Sequence, residues 1–227
     1  IHTGGVDHIT VHHENEIAQA QGFCGKIPAK FWMHVNFLKV DGGKMSKSLN
    51  NLYTLGQLQE KGYPAEVYRM FNFSSSYRIP INFTWDAMDA SFKALIKLKE
   101  GYQNHLNGKD EIDDEQITRY EEKFHQAIND DLNMPIAMSV VWDVIKNPAK
   151  SPKIAQLLLK FDSVLGLKID KPLEMKNKDI PEEIIKLAEK RKEARENKDW
   201  AESDRLRDEI ISKGYKIKDT KNGYELN

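Results

Sequence analysis

The feature that most constrains the fold is a row of four amphipathic stretches within residues 86–165. In the first of them, residues 86–106, apolar side chains recur at three- and four-residue intervals, which places them on one face of a helix. These side chains are Met88, Phe92, Leu95, Leu98, Tyr102 and Leu106. The other three stretches are residues 114–128, 135–146 and 151–165. Four such helices in succession predict a helical bundle over residues 86–170.

The front of the chain follows other patterns. Residues 31–40 are aromatic and β-branched and run into a glycine-rich turn, which predicts a buried strand. A short helix is predicted over about residues 12–21, with Gly22 as the glycine that follows its last turn. Residues 54–85 predict two short helices in a connecting region.

The end of the chain predicts a small α+β module. Residues 171–180 are polar and read as a linker, and the module itself is placed at residues 176–227. The predicted elements are helices at 181–197 and 200–212, with Gly214 after the second, and hairpin strands at 215–218 and 224–226. A turn containing Asn222 and Gly223 would join these strands.

Composition excludes some classes of protein. The chain has 227 residues with 34 basic and 35 acidic side chains, a formal net charge of −1, so any RNA contact must rely on local patches. No apolar run approaches the ~20 residues that span a bilayer. A single cysteine, Cys24, excludes an internal disulfide framework and favours a reducing compartment, so we expect a cytoplasmic protein. The chain begins at Ile1 without a methionine, and we expect a fragment of a longer protein.

The sharpest chemical signal is the run Lys-Met-Ser-Lys-Ser at residues 44–48, which we call the lysine loop. Two ammonium groups on a flexible loop can fold over a triphosphate and neutralise the charge that builds as pyrophosphate leaves. This makes Lys44 and Lys47 candidate catalytic residues. On residue type alone, a loop with two lysines is more often a solvated surface loop.

A second signal is the run His-His-Glu-Asn-Glu at residues 12–16. His12 and Glu16 stand four residues apart, so a helix would present an imidazole nitrogen and a carboxylate on one face, as a metal site needs. Zinc takes three or four ligands, and Cys24 is one candidate for a third. A surface helix with acidic residues near its positive end would explain the same run without a metal.

Four motifs follow one another with short gaps, and together they carry a resemblance. They are the glycine-rich stretch at residues 2–7, the run at 12–16, Trp-Met-His at 32–34 and the lysine loop. The loop resembles the signature loop of class I aminoacyl-tRNA synthetases, and the succession resembles the cysteinyl-tRNA synthetases. Matching segments at residues 75–82, 129–135 and 194–208 extend the resemblance over essentially the whole chain. Thr3 departs from the family, where many members have glycine.

The resemblance implies that His12 and Glu16 are two of four ligands of one zinc ion per subunit, the other two being cysteines upstream of this chain. In this family the zinc binds the thiolate of the substrate cysteine, and a soft thiolate bonds zinc far better than a serine hydroxyl does. His13 is then expected to have a supporting or structural role, and Cys24 to be an ordinary thiol.

The resemblance also implies substrate contacts. His2 matches a histidine that lines the cysteine pocket. Gly5 and Asp7 match the nucleotide-side loop, where glycine permits close backbone approach and the carboxylate can accept from ribose hydroxyls. Lys47 matches the lysine that contacts the phosphates of ATP, which would enter with Mg²⁺, and it ranks above Lys44 for that role.

For the whole chain, the implied fold is the second half of a Rossmann-like catalytic domain at residues 1–53, then the connecting region, a tRNA-binding helical bundle and an anticodon-binding module. The implied activity is that of a monomeric cysteine–tRNA ligase with no membrane association, which activates L-cysteine with ATP and transfers it to tRNA(Cys). The family's His-Ile-Gly-like ATP motif and both zinc-binding cysteines do not occur in this sequence. We therefore expect the fragment alone to be inactive.

Two alternatives stay open at this stage. A paralogous ligase uses the same cysteine activation but passes cysteine to an amino sugar, and a non-catalytic tRNA-binding fragment would need no active site. The basic run at residues 186–198 is as typical of a salt-bridged helix as of an RNA contact. Trp200 and Tyr224 could stack on a base or close a small core.

Overall fold

The computed structural model describes residues 1–173, 181–197, 199–213, 215, 217–220 and 223–226. The chain divides into two units, Ile1–Lys176 and Asn177–Asn227, and each has its own hydrophobic core. In the part of the chain that the structure describes, none of the helices combines the length and apolar character that crossing a bilayer requires.

The first unit begins with a two-stranded parallel sheet. Strand β1 (His2–Gly5) pairs with β2 (Trp32–Val35). The connection between them consists of a 3₁₀ turn at Val6–His8, a π-helical turn at Ile9–His13 and helix α1 (Glu14–Cys24). The α-helix therefore starts two residues later than the sequence predicts, after a wider turn.

Helix α1 also ends later than predicted. Gly22 lies inside it, where an added Cβ would meet nothing within 4 Å. The left-handed residue that closes the helix is Gly25, with φ of 69°, and its N–H donates to the carbonyl of Gln21 at 2.9 Å. The prediction that Gly22 ends this helix was wrong, because the positive φ is required three residues further on.

The single strand predicted over residues 31–40 is two strands in different sheets. Strand β3 (Leu38–Val40) pairs antiparallel with β4 (Gly43–Lys44) and parallel with β5 (Ile81–Phe83). The break lies at Asn36, whose backbone N–H donates to Tyr77 at 2.8 Å and whose side-chain amide donates to the Arg78 carbonyl at 3.0 Å. Because Asn36 bonds to the segment around Tyr77 and Arg78 and not to a neighbouring strand, the chain leaves the first sheet here before it enters the second. The prediction of one continuous strand was wrong.

Two short helices follow, as predicted: α2 (Leu55–Glu60) and α3 (Ala65–Asn72). Thr54 and Gln57 form a capping box at the start of α2, which satisfies two backbone N–H groups that the helix itself cannot bond. Val67 and Phe71 of α3 are buried in the core of the first unit.

The predicted four-helix bundle is confirmed. Its helices are α4 (Trp85–Leu106), α5 (Asp114–Asn129), α6 (Met134–Ile145) and α7 (Pro152–Leu165). Side chains of Thr84, Asp113 and Asn133 accept hydrogen bonds at the starts of α4, α5 and α6. In the core the rings of Phe124 and Phe161 stack at 4.1 Å between centroids.

The second unit contains helices α8 (Glu182–Glu196) and α9 (Trp200–Ser212) and a hairpin of β6 (Ile217–Thr220) and β7 (Gly223–Leu226). Both helices match the prediction to within one residue, and the hairpin forms, but its first strand begins at Ile217, two residues later than predicted. The expected cap Gly214, the turn residue Asn222 and the linker residues 174–180 lie outside the described residues. Of the described residues, Ile184, Ala188, Ile210 and Ile217 form a buried cluster in this unit.

The structure is thus mainly helical with small sheets. This agrees with the prediction of a largely helical chain that carries some α/β and α+β structure. The finer division of the chain at residues 54, 86 and 176 remains a prediction.

Candidate active site

Five histidines meet beside the first sheet, and we call them the histidine cluster. They are His2, His8, His12, His13 and His34. The parallel register of β1 and β2 sets His2 opposite Trp32 and Gly4 opposite His34. The turns before α1 bring the rings of His8, His12 and His13 into contact with one another, and His13 also contacts His2 and His34.

His13 is the centre of the cluster. Its side chain is buried, with the residue only 3% exposed, and its Nδ1 lies 2.8 Å from Nε2 of His34. Its ring centroid lies 4.6 Å from that of His2. Burial lowers the pKa of His13, the nearby His2 and His34 lower it further, and Glu16 opposes them. A neutral imidazole is the form that suits both the His34 hydrogen bond and metal ligation.

At Gly4, replacement by alanine is incompatible with this packing. A Cβ there would lie 2.7 Å from Cε1 of His13 and 2.7 Å from Nδ1 of His8. The need for glycine at position 4 is therefore steric, because only a residue without a side chain lets two imidazole rings approach the strand this closely.

The carboxylate of Glu16 lies between two histidines. His2 Nε2 is 2.9 Å from Oε2, and His12 Nε2 is 3.4 Å from Oε1. The approach of His2 is close without hydrogen-bond geometry, so the buried Oε2 has no hydrogen-bond partner among the described residues. A buried carboxylate oxygen in that state favours a cation.

The donor set fits zinc. Two atoms each about 2.0–2.1 Å from a tetrahedral zinc lie about 3.3–3.4 Å apart, which matches the separation of His12 Nε2 and Glu16 Oε1. A second grouping also exists, because ligand atoms of His2, His13 and Glu16 all lie within 4.8 Å of one another. Glu16 belongs to both groupings. Its partner is His12 in the first, and its partners are His2 and His13 in the second.

Cys24 does not join the cluster. It lies eight residues after Glu16 on α1, which is about 12 Å along a helix that rises ~1.5 Å per residue. Its thiol is exposed and donates to the Ala20 carbonyl at 3.1 Å. This agrees with the expectation of an ordinary thiol.

Gly5 is the last residue of β1 and Asp7 lies in the turn that follows, at the carboxyl end of the strand, where parallel sheets commonly bind ligands. A Cβ at Gly5 would lie 2.3 Å from Oδ1 of Asp7, so the glycine leaves room for that carboxylate. Asp7 is exposed. The pair can therefore present backbone and a carboxylate to a ligand at this end of the sheet.

The lysine loop follows the tight turn between β3 and β4. Asp41 and Gly42 have φ of 49° and 77°, and the Gly42 N–H donates to Oδ1 of Asn82 on β5 at 2.7 Å. Lys44 ends β4, and both Lys44 and Lys47 are exposed. Met45 between them is partly buried and packs against the core of the first unit.

A residue that the sequence did not single out holds this loop. Asn51 accepts a hydrogen bond from the Ser46 N–H at 2.8 Å and donates one to the Lys44 carbonyl at 3.0 Å. Ser46 Oγ lies 3.1 Å from Ser48 Oγ and accepts from the Leu49 N–H at 3.3 Å. The backbone of the loop is thus fixed while its two ammonium groups stay in solvent.

The predicted site residues fall into two groups. His2, His12 and Glu16 are together, and Gly5 and Asp7 adjoin them along the chain. Lys44 ends β4 of the other sheet and Lys47 lies in the turn after it. Within the described residues, no hydrogen bond or ion pair joins either lysine to the histidine cluster. The sequence missed the central position of His13 and His34, although five of the seven histidines fall in the first 34 residues.

Two of the family-like segments also meet. Asp131 accepts from Tyr77 at 2.6 Å and forms a two-pronged ion pair with Arg78. The Arg78 and Tyr77 hydrogen bonds lower the pKa of Asp131. Asp131 and Leu132 both have positive φ, 54° and 55°, so this pairing holds a strained turn before α6.

Comparison with known proteins gives the family. Residues 1–93 match the model described as tRNA synthetases class I (C) catalytic domain, and residues 177–225 match the cysteinyl-tRNA ligase anticodon binding domain. The cysteine–tRNA ligase 1 of Burkholderia lata is 37% identical over 229 residues, which cover 100% of this chain and 47% of that protein. The cysteine–tRNA ligase of Chlamydia felis is 37% identical over 242 residues, covering 98% and 50%.

A solved structure is similar in fold. It is the LeuRS of Agrobacterium radiobacter K84 in a ternary complex with tRNA and LeuAMS, with a TM-score of 0.56 over 73% of this chain and 25% of that one. At 17% identity this likeness concerns the fold alone. The chain spans about half the length of the curated relatives it matches. Because those relatives match it from end to end and both family models fall within it, the chain belongs to the cysteinyl-tRNA ligase family.

Proposed function

We propose that this chain is part of a cysteine–tRNA ligase that activates L-cysteine with ATP and transfers it to tRNA(Cys). The observation that carries the proposal is the end-to-end match to ligases of that name, in a chain that holds both the lysine loop and the histidine cluster. The match of residues 177–225 to an anticodon binding domain favours a tRNA acceptor over an amino sugar.

The proposed reaction has two steps. The carboxylate of cysteine attacks the α-phosphate of ATP, the bond from that phosphorus to the bridging oxygen breaks, and pyrophosphate leaves with the electron pair. A terminal ribose hydroxyl of the tRNA then attacks the cysteinyl carbonyl, loses its proton and displaces AMP. The first step builds negative charge on the leaving pyrophosphate, with Mg²⁺ accompanying the nucleotide.

Lys44 and Lys47 are proposed to neutralise that charge. Both ammonium groups are in solvent on a loop whose backbone is held by Asn51, so they can close over the phosphates without refolding the loop. Lys47 is placed first because it stands past the end of β4, whereas Lys44 is still within that strand.

Gly5 and Asp7 are proposed to hold the nucleotide and His2 to line the cysteine pocket. Support comes from the position of Gly5 at the carboxyl end of β1 and from the exposed carboxylate of Asp7, which lies against Gly5 where a side chain would otherwise stand. The ring of His2 packs against Trp32 at 4.7 Å and against His13, which fixes its direction.

His12 and Glu16 are proposed to hold a zinc ion. When bound, zinc would supply a Lewis acid for the substrate thiolate. Glu16 Oε1 and His12 Nε2 lie at the spacing of two ligands of one zinc ion. The other carboxylate oxygen, Oε2, is buried without a hydrogen-bond partner among the described residues, which also favours a cation at this carboxylate. The buried His13 and its bond to His34 would keep the surrounding rings in place.

The test uses Lys47→Ala in the complete protein, with Lys30→Ala as a control because Lys30 is also an exposed lysine of the front half. We expect Lys47→Ala to lower cysteine-dependent exchange of pyrophosphate into ATP by about 100-fold or more, as is usual when one charge-stabilising group is removed. The control should stay within a few-fold of wild type. Exchange that Lys47→Ala leaves unchanged would exclude this role.

The acceptor is tested separately. The complete protein should form cysteinyl-tRNA(Cys), and it should form no amide with an amino sugar such as glucosamine. The reverse pattern would assign it to the amino-sugar ligases.

A further inference from the structure

Polar contacts join the front sheet to the rest of the first unit through one residue, Asn36. Within the described residues, each hydrogen bond or ion pair between residues 1–36 and the later chain involves Asn36. Its backbone N–H donates to the Tyr77 carbonyl at 2.8 Å, and its amide donates to the Arg78 carbonyl at 3.0 Å. Strand β2, which carries His34 of the histidine cluster, ends directly before it. The polar anchor of the cluster is therefore the pair Tyr77 and Arg78.

The same segment leads to the lysine loop. Three residues after Arg78 the chain enters β5, which pairs in parallel with β3. On β5, the side chain of Asn82 accepts from the Gly42 N–H at 2.7 Å, in the turn that opens the loop. Residues 77–83 thus contact both groups of the candidate site, namely the strand that carries the histidine cluster and the turn before the lysine loop.

Side chains of this segment are held from the helical bundle by Asp131, which lies in the turn between α5 and α6. Its carboxylate accepts from the Tyr77 hydroxyl at 2.6 Å and from two N–H groups of Arg78. The guanidinium also lies over the Tyr77 ring, 5.1 Å from its centroid. A guanidinium that meets a carboxylate with two parallel hydrogen bonds is fixed in orientation as well as in position. We call these contacts the Asp131 clasp.

Stability alone does not explain the clasp. The side chains of Arg78 and Asp131 are 64% and 49% exposed, and an ion pair in solvent adds little to stability. Asp131 and Leu132 also have φ of 54° and 55°, a conformation that residues other than glycine keep only where the surrounding contacts require it. The position that the clasp imposes on Tyr77 and Arg78 is the better explanation of its presence.

We propose that Asp131 is a positioning residue for cysteine activation, which aligns the histidine cluster with the lysine loop through Tyr77 and Arg78. The proposal rests on the proposed function, in which cysteine binds beside the cluster and ATP binds under the loop. Attack on the α-phosphate needs the reacting atoms aligned at about 3–3.5 Å, and a displacement of 1 Å can cost about 100-fold in rate. Within the described residues Asp131 bonds to neither group, so it acts through the other two side chains.

The test uses Asp131→Asn in the complete protein. Asparagine tolerates a positive φ, so this substitution removes the charge of the clasp without adding backbone strain. Asp114→Asn is the matched control, because Asp114 is also an exposed carboxylate of the bundle and pairs with Lys153 from α5 to α7. Arg78→Met tests the other partner, since it keeps a long apolar stem and removes the cation.

The readout is single-turnover formation of cysteinyl-adenylate with both substrates saturating. The rate constant reports alignment, whereas the amplitude reports the fraction of molecules that are folded and active. We expect Asp131→Asn to lower the rate constant by about tenfold or more. The amplitude, and the KM for each substrate in pyrophosphate exchange, should stay within about twofold of wild type, because each substrate keeps its own contacts. The control should keep the wild-type rate constant.

The two partners of the clasp should act as one. Arg78→Met should slow the reaction as Asp131→Asn does, and the double variant should be no slower than the slower single variant, because the second change removes nothing that the first has left. Losses that multiply in the double variant would instead place Arg78 in contact with a substrate and would overturn the positioning role.

Two further results would also overturn it. One is a wild-type rate constant in Asp131→Asn, and the other is a loss confined to the amplitude, which indicates a purely structural role. The proposed function is judged by the wild type alone. If the wild type forms no cysteinyl-adenylate, that function is wrong and the role of Asp131 fails with it. If the wild type is active and Asp131→Asn equals it, only the role of Asp131 is wrong.

Discussion

Glu16 belongs to two groupings of ligand atoms, and the histidine that joins it decides where a metal would sit. The separation of 3.4 Å from His12 Nε2 suits two ligands of one tetrahedral zinc, whereas the 2.9 Å approach of His2 is shorter than that. His13 already uses Nδ1 in its bond to His34. These distances favour His12 as the partner of Glu16.

We therefore predict that His12→Ala lowers the zinc content of the purified complete protein by at least tenfold under dialysis. The number of zinc ions per protein chain is measured by mass spectrometry. His8→Ala is the control, because His8 contacts the His12 ring at 5.0 Å without approaching Glu16. Zinc kept by His12→Ala and lost by His13→Ala would instead assign the His2, His13 and Glu16 grouping.

Asn51 is the residue through which the loop geometry can be tested. Its amide bridges the Ser46 N–H and the Lys44 carbonyl, and it touches neither ammonium group. Such a residue positions the lysines and does not itself meet the phosphates. Losing both bonds frees the backbone and raises the entropy cost of ordering the loop over ATP.

For Asn51→Ala we predict a KM for ATP that rises several-fold in pyrophosphate exchange, with the KM for cysteine unchanged. Asn51→Asp keeps an acceptor for the Ser46 N–H but loses the donor to Lys44, so its effect should be intermediate. A general loss of folding would instead lower the melting temperature and the apparent kcat, and it would leave both KM values unchanged. Unaltered ATP kinetics in Asn51→Ala would show that the loop is held by other contacts.

At the scale of elements, the helices were the most predictable part of the fold. Apolar residues repeat on one face of α4, and side chains such as Thr54 and Asp113 mark helix starts, so local chemistry and tertiary packing agree. The strands were less predictable. Residues 31–40 have strand-like side chains throughout, yet the break at Asn36 depends on hydrogen bonds to Tyr77 and Arg78, which are far away in sequence.

The candidate site shows the same division. The spacing of His12 and Glu16 is local and could be derived from the chain, but the burial of His13 depends on the register of β1 with β2. The pairing of Arg78 with Asp131 joins segments 53 residues apart. Sequence periodicity carries no information about such contacts, and only the assembled elements reveal them.

The bundle contains a histidine that should make its stability depend on pH. His105 of α4 is fully buried, its Nε2 lies 3.0 Å from the Ile145 carbonyl, and its Nδ1 has no hydrogen-bond partner among the described residues. Burial lowers the pKa of His105 below its ordinary value of 6.5, and Lys150 also lowers it, while the backbone bond opposes them. The folded state therefore holds a neutral ring.

The sign of the effect follows from this shift. Above the unfolded pKa neither state binds the proton, and stability is at its full value. As the pH falls below about 6.5, the unfolded chain takes up a proton that the folded chain resists, so stability declines until the folded pKa is passed. We predict that the melting temperature of wild type falls more between pH 7.5 and 5.5 than that of His105→Gln.

Thermal denaturation at the two pH values measures this difference. His125→Gln is the matched control, since His125 is exposed on α5, and it should keep the wild-type dependence. Glutamine retains a donor for the Ile145 carbonyl, so a change in slope reports the lost titration. If His105→Gln and wild type lose the same number of degrees, His105 does not contribute to the acid sensitivity.

For the molecule as a whole, the two units differ greatly in the size of their cores. The core of the first unit draws on the bundle, the short helices and the second sheet. Among the residues that the structure describes, the core of the second unit comprises Ile184, Ala188, Ile210 and Ile217 with a few partly buried neighbours. Small cores leave little reserve of stability, so one large-to-small change should unfold the second unit while the first stays folded.

Ile210→Ala tests this separation, with Ile211→Ala as the matched control. Ile210 is 0% exposed and its neighbour Ile211 is 50% exposed, so the same substitution empties the core in one case and only alters the surface in the other. A buried Ile→Ala change costs about 2–5 kcal/mol. We predict that Ile210→Ala abolishes hydrogen-exchange protection in α8 and α9 and keeps it in α4 to α7. The variant should also charge tRNA(Cys) more weakly, while pyrophosphate exchange continues.

Three other results would contradict this prediction. If hydrogen-exchange protection were lost throughout the chain, the two units would unfold as one cooperative unit. If protection persisted in α8 and α9, the second core would be more stable than its few described residues indicate. If charging and exchange fell together, the second unit would be needed for activation as well as for the tRNA.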